Sequence, residues 1–164
     1  MEILEHIYTR SKFISEAKES AVLVKITGRL IGLNINQIIS KIISLRKKDS
    51  PFVSAYLNGR KPWADSRFIF FSLSYFPLLL SCKNKISTTY YFEHAVTESA
   101  LSAMKSDIRL IYPPLPIRID GIGGGFGVVY NVTDFEYFKQ RVKHQLRRIL
   151  FRIGILPVKK ESRK

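Results

Sequence analysis

Five cations and a histidine crowd one short stretch of this chain. Lys139, Arg141, Lys143, His144, Arg147 and Arg148 are diluted only by Gln140 and Gln145 on the polar side. No acidic residue lies between Glu136 and Arg148, so nothing within that run forms i,i+4 ion pairs with these cations. On a helix rising about 1.5 Å per residue, such a row tracks a phosphate backbone. The chemistry is recognition of a polyanion. The plainer reading is a solvated helix face.

Other residues that carry chemistry elsewhere are poorly placed for it here. The glycine run at 121–127 lacks the Lys-Ser/Thr ending of a phosphate-binding loop. It leads into strand-like residues, so no helix N-terminus faces a ligand. It reads as a turn that lets an RNA backbone or another chain approach closely. Asp120 beside it is a lone carboxylate, and the remaining acids of the second half are scattered. Cys82 is the one cysteine, which excludes an internal disulfide and a cysteine-based metal cluster. It ends an apolar run and reads as a buried, inert thiol. His6, His94 and His144 show no metal-ligand spacing. The expectation is therefore no catalytic residue, no metal, no cofactor and no small-molecule substrate, hence no enzyme.

Composition sets the frame for that row of cations. The chain has 164 residues, 27 Lys and Arg against 13 Asp and Glu, and a formal charge of +14. A domain this basic repels itself unless a polyanion neutralises it; nucleic acid is the usual one and an anionic membrane surface the rival. Being 46% hydrophobic, it can bury a core, which argues against wholesale disorder. Glu2 and Glu5 argue against a signal peptide or an acid-poor transit peptide. The most apolar run, residues 68–82, is shorter than the roughly 20 residues a spanning helix needs, and Pro77 interrupts it. It reads as core strand and loop.

The elements that must position these residues fall into two parts. In an N-terminal α/β extension, residues 1–64, a surface helix covers 2–19 and a strand covers 21–26. A turn spans 28–32, and an amphipathic helix covers 34–45, with Ile35, Ile38, Ile39, Ile42 and Ile43 at helical spacing. Residues 49–51 break that helix, and 58–63 form a basic linker. In the second part, residues 65–164, strands are expected at 67–76, 108–112, 117–120, 128–132 and 151–156. Helices are expected at 88–105, capped by Ser87, and from Asp134 through 150. The stripe Phe135, Phe138, Val142, Leu146 and Ile149 would face the core. Pro113, Pro114 and Pro116 would make a rigid, extended tip. The order matches an α+β, ferredoxin-like split β-α-β domain with both helices on one face of an antiparallel sheet.

Two segments then show a family likeness. Residues 111–116, Ile-Tyr-Pro-Pro-Leu-Pro, resemble the Gly-Pro-Ile-Pro-Leu-Pro hairpin tip of the ribosomal protein S-ten family, the tenth universal small-subunit ribosomal protein; Pro114, Leu115 and Pro116 match directly. Residues 134–146 resemble that family's Ser-Arg-Glu-Gln-Phe-Glu-x-Arg-Thr-His-Lys-Arg-Leu helix, with Glu136, Phe138, Arg141 and Leu146 on matching positions. The spacing from Pro116 to Phe138 agrees without a gap. Ile111 and Tyr112 replace the Gly-Pro that opens the tip, Lys143-His144-Gln145 replaces His-Lys-Arg, and residues 1–64 have no counterpart. These departures point to a divergent, mitochondrial type; with the acids Glu2 and Glu5 arguing against a transit peptide, the expectation is synthesis within the organelle.

The resemblance implies a structural constituent of the small ribosomal subunit, in the mitochondrial matrix. It would bind rRNA and neighbouring proteins in the subunit head. Implied rRNA contacts are Arg109, Arg118, Lys139, Arg141, Lys143, Arg147 and Arg148, and the tip Pro113, Pro114, Leu115 and Pro116 would reach between rRNA and protein. Two competitors stand beside it. One is a membrane-associated structural subunit of an organellar complex, with residues 68–80 near lipid. The other is a nuclease or nucleotide-binding enzyme using Asp120 and the glycine loop.

Overall fold

A computed structural model describes residues 1–26, 30–47, 49–58, 63–122 and 129–154. In chain order the elements are α1 (Glu2–Arg10), α2 (Lys12–Glu16), β1 (Val22–Ile26), β2 (Leu30–Gly32), α3 (Ile35–Leu45), β3 (Phe52–Leu57), β4 (Ala64–Ser72), α4 (Phe76–Leu80), α5 (Phe92–Ala103), β5 (Arg109–Ile111), β6 (Ile119–Ile122), β7 (Val129–Asn131) and α6 (Asp134–Arg152). The class is mixed α+β. One sheet runs β1-β4-β3-β5 and a smaller one β2-β6-β7. Within the larger sheet β4 is antiparallel to both neighbours, and β5 is parallel to β3.

β4 organises the larger sheet because both of its faces are apolar. Ile69 and Phe71 join Val53, Ala55 and the α5 residues Val96, Ala100 and Ala103 in one core. Phe68 and Phe70 join Phe52 and the α3 residues Ile38 and Ile42 in a second. Successive strand residues point to opposite faces, so an unbroken apolar run marks a strand covered on both sides. Consequently α3 and α5 lie on opposite faces of this sheet. The single antiparallel sheet expected of residues 65–164 does not form: its strands divide between the two sheets, and β5 runs parallel to β3. Nor do the strands divide at residue 64. β4 starts at Ala64 and pairs with β1 and β3 from the preceding part of the chain.

Several local expectations also change. The helix expected over residues 2–19 breaks at Ser11, which is extended. The turn expected at residues 28–32 contains β2, which pairs with β6; residues 27–29 lie outside the described ones. Gly32 suits that strand because an added Cβ would sit 3.0 Å from Ile35 and 3.1 Å from Phe68. β3 carries no strand in the sequence reading, although it is the central partner of β4 and β5. Ser87 Oγ accepts the N–H groups of Thr89 and Tyr90, making a turn ahead of α5 rather than its cap. The cap is Tyr91, whose N–H donates to His94 Nδ1 at 3.0 Å. The strand expected at 151–156 is replaced at its start by the end of α6, and residues 155–164 lie outside the described ones.

The largest correction concerns the proline segment. β5 belongs to one sheet and β6 to the other, so residues 112–118 cross between sheets and form no hairpin tip. Pro113, Pro114, Leu115 and Pro116 are all buried. Proline has no N–H to give a ladder, and buried carbonyls need donors. Side chains supply them. His144 Nε2 lies 2.8 Å from the Pro113 carbonyl, Tyr56 donates to Leu115 O, and Asn34 Nδ2 donates to Pro116 O at 3.0 Å.

Candidate nucleic-acid interface

α6 begins where the sequence says a helix should. Thr133 is its N-cap, one residue before Asp134, and a capping box joins Thr133 to Glu136. The helix runs 19 residues, or about 28 Å. Its rotation is the reverse of the expected one. Tyr137, His144, Arg148 and Phe151 face the body, and His144 is its one buried residue. Phe135, Phe138, Val142, Leu146, Ile149 and, beyond the helix end, Ile153 each leave between 50% and 67% of their surface in solvent.

Polar contacts fix that rotation. Asn34, buried just before α3, donates to Tyr137 Oη at 2.7 Å and accepts the Arg118 N–H at 2.8 Å. Arg118 pairs with Asp134 at 2.7 Å and lies over the Tyr137 ring. His144 packs against both the Tyr56 and Tyr112 rings, at centroid distances of 5.6 and 5.3 Å, and those two rings also touch each other edge-on. A carbonyl only accepts, so Nε2 carries the proton in the contact to Pro113. Burial holds the His144 pKa below its ordinary value, against the Pro113 hydrogen bond and with help from Arg148 and Arg147. Phe151 packs against Tyr112 with the rings tilted by 37° and their centroids 5.3 Å apart.

This rotation sorts the expected RNA contacts into separate places. Lys143 and Arg147 line a cleft of about 610 Å³ between α6 and the β3–β4 end, together with Tyr56, Trp63, Asp65 and Arg67. Within it Arg67 is already held by Asp65, through two hydrogen bonds of 2.8 and 2.6 Å, and lies over Tyr130. Arg109 and Arg148 line a smaller hollow of about 100 Å³ with Arg152. Arg109 Nη1 also donates to Leu45 O at 2.7 Å. Burial lowers the Arg148 pKa, and the neighbouring Arg152 charge pushes it the same way. Lys139 and Arg141 are exposed on the outer part of the helix, with Lys139 Nζ 4.2 Å from the centre of the Phe135 ring. Arg118 is engaged elsewhere, with Asp134.

Arg109, Arg148 and Arg152 thus gather on one flank of α6 and Lys143 and Arg147 on the other, with Tyr112 lining both hollows. No carboxylate among the described residues forms an ion pair with any of them, whereas Lys12, Arg46, Arg67, Lys83, Lys85 and Arg118 all have one. Cations without carboxylate partners are available to phosphate groups, a contact made through charge and geometry that reads no bases. Arg152 was absent from the sequence reading. Its signal was the i,i+4 spacing from Arg148. Asn34 was also missed, because its partners lie more than eighty residues away.

The remaining candidates do not assemble. Asp120 is exposed on β6 and accepts the Gly121 N–H at 2.8 Å. Gly121 and Ile122 belong to β6, while residues 123–128 of the glycine run lie outside the described ones. Among the described residues no three His, Cys, Asp or Glu side chains converge on a metal position. Residues 68–82 are strand, turn and helix α4, and no helix among the described residues is long and apolar enough to cross a membrane. Comparison with protein-family models, curated proteins and solved structures returns no match to this chain.

Proposed function

We propose that this chain is a structural, RNA-binding component of a ribonucleoprotein particle and performs no catalysis of its own. The observation that carries the reading is the set of cations on the two flanks of α6, Arg109, Arg148 and Arg152 on one and Lys143 and Arg147 on the other, which have no ion-paired carboxylate among the described residues. A net charge of +14 calls for a polyanion, and these cations offer it phosphate contacts. The particle favoured by the likeness to the ribosomal S-ten family is the small subunit of a mitochondrial ribosome, with rRNA and neighbouring subunit proteins as partners. That likeness now rests on the residues of α6. The family's two-layered fold and protruding proline tip form no part of the proposal.

The test is binding of an in vitro transcribed small-subunit rRNA, followed from about 50 to 200 mM salt, a range over which several phosphate contacts change affinity by orders of magnitude. The triple variant Arg147→Gln, Arg148→Gln, Arg152→Gln should flatten the slope of log affinity against log salt by about 2, at about 0.7 to 0.9 per lost phosphate contact. An unchanged slope in the folded triple variant, or no RNA binding by the parent, refutes the proposal.

A further inference from the structure

The outward side of α6 is built for a different kind of partner. At about 100° per residue, Phe135, Phe138, Val142, Leu146, Ile149 and Ile153 fall within an arc of roughly 80°, centred opposite the buried His144. Their spacing is three, four, four, three and four, so the pattern repeats after eleven residues. An eleven-residue repeat lies close to the helix's own period, which makes the stripe run straight along the axis. Lys139 and Lys143 border it on one side, Arg141 and Arg152 on the other. All six apolar side chains are at least half exposed, and their flanking cations lack ion-paired carboxylates among the described residues.

We infer that this stripe is the seat of an amphipathic α-helix from an acidic partner protein, apolar at the facing positions and bordered by Asp or Glu. Two features choose this occupant. Leu150, 36% exposed beside the stripe, widens the apolar arc to about 120°, so width alone does not choose and charge does. The cationic borders match acidic residues beside the partner's seam, as charges beside a seam select partners in paired helices. A second copy of this chain would set cations against cations. RNA is another possibility, yet four of the six residues are aliphatic and offer no ring for base stacking. The two sides of α6 thus divide their work. The cations on its inner flanks meet phosphate, and the outer stripe meets protein.

The probe is a synthetic amphipathic helix with leucines at the three-four-four spacing and glutamates beside them, paired with a sister peptide bordered by lysines. Fluorescence anisotropy with the full chain should show binding of the glutamate peptide and at least about tenfold weaker binding of the lysine peptide. Leu146→Glu and Phe138→Glu should each weaken the glutamate peptide by more than about tenfold, the size of effect expected of a residue central to an interface. Should these variants fail to fold, the double variant Lys139→Glu, Arg141→Glu leaves the apolar stripe intact and should reverse the preference between peptides. Equal binding of both peptides, or binding of neither, overturns the inference. So does Leu146-dependent sedimentation with phosphatidylserine vesicles, or a dimer in light scattering that Leu146→Glu dissolves. The rRNA affinity of the neutral variant Leu146→Gln, which should also weaken the glutamate peptide, should remain within about twofold of the parent, so failure of either proposal is read separately.

Discussion

Replacing Asn34 by alanine tests whether the proline segment is an internal crossing or a solvent-exposed tip. The Asn34 side chain makes three hydrogen bonds: to Pro116 O at 3.0 Å, to Tyr137 Oη at 2.7 Å, and from the Arg118 N–H at 2.8 Å. Each contributes about 1 kcal/mol net, and a buried group left without a partner adds desolvation. Pro116 O keeps a long contact from Tyr137 Oη at 3.4 Å, whereas the only acceptor shown for the Arg118 N–H is Asn34. The expected loss is about 3 kcal/mol, within about 2 to 4. In urea, with a slope of about 2 kcal/mol/M, the midpoint should fall by about 1 to 2 M. Tyr137→Phe should cost about 1 kcal/mol, and the double variant should fall short of additivity because the two share a bond. A loss under about 0.5 kcal/mol is what a surface position gives, and would mean that Asn34 does not tie α6 and the proline segment together.

Three further outcomes follow from the same packing. His144 is held neutral by burial. Below about pH 6.5 the unfolded chain takes up this proton before the folded one does. Its contribution to stability is therefore complete above that pH and shrinks as pH falls; urea midpoints at pH 7.5 and 5 should diverge more in the parent than in His144→Gln, and equal divergence refutes the assignment. Phe70→Ala should cost about 3 to 5 kcal/mol and Phe138→Ala less than about 0.5 by urea titration, since one ring is fully buried and the other exposed. A large loss at Phe138 would restore a core-facing stripe. Burial and, secondarily, Glu98 raise the Cys82 pKa, so its thiol should react slowly with a disulfide reagent at pH 7 until the chain is denatured; prompt reaction of the folded chain contradicts its burial.

The amino-acid order by itself located α3 and α6 and a core strand beginning near residue 67, which the structure extends back to Ala64 and ends at Ser72, and it set the net charge of +14. These follow from local quantities. Isoleucines at helical spacing make one apolar face, a capping box marks a start, and unpaired cations add up wherever they are placed. The sequence also held the apolar stripe of α6, but periodicity says only that a stripe exists, not what covers it. Three decisions belonged to tertiary structure. Asn34, Tyr56 and His144 had to converge on the carbonyls of residues 113–116 before an extended proline run could be an interior connection. Phe68 and Phe70 had to meet α3 while Ile69 and Phe71 met the α5 side, which put the two helices on opposite faces of one sheet. His144 and Tyr137 then claimed the inner side of α6 and turned Phe138 and Leu146 outward. Each decision rests on donors and acceptors far apart in the chain, and no local pattern encodes which distant carbonyl will need a proton donor.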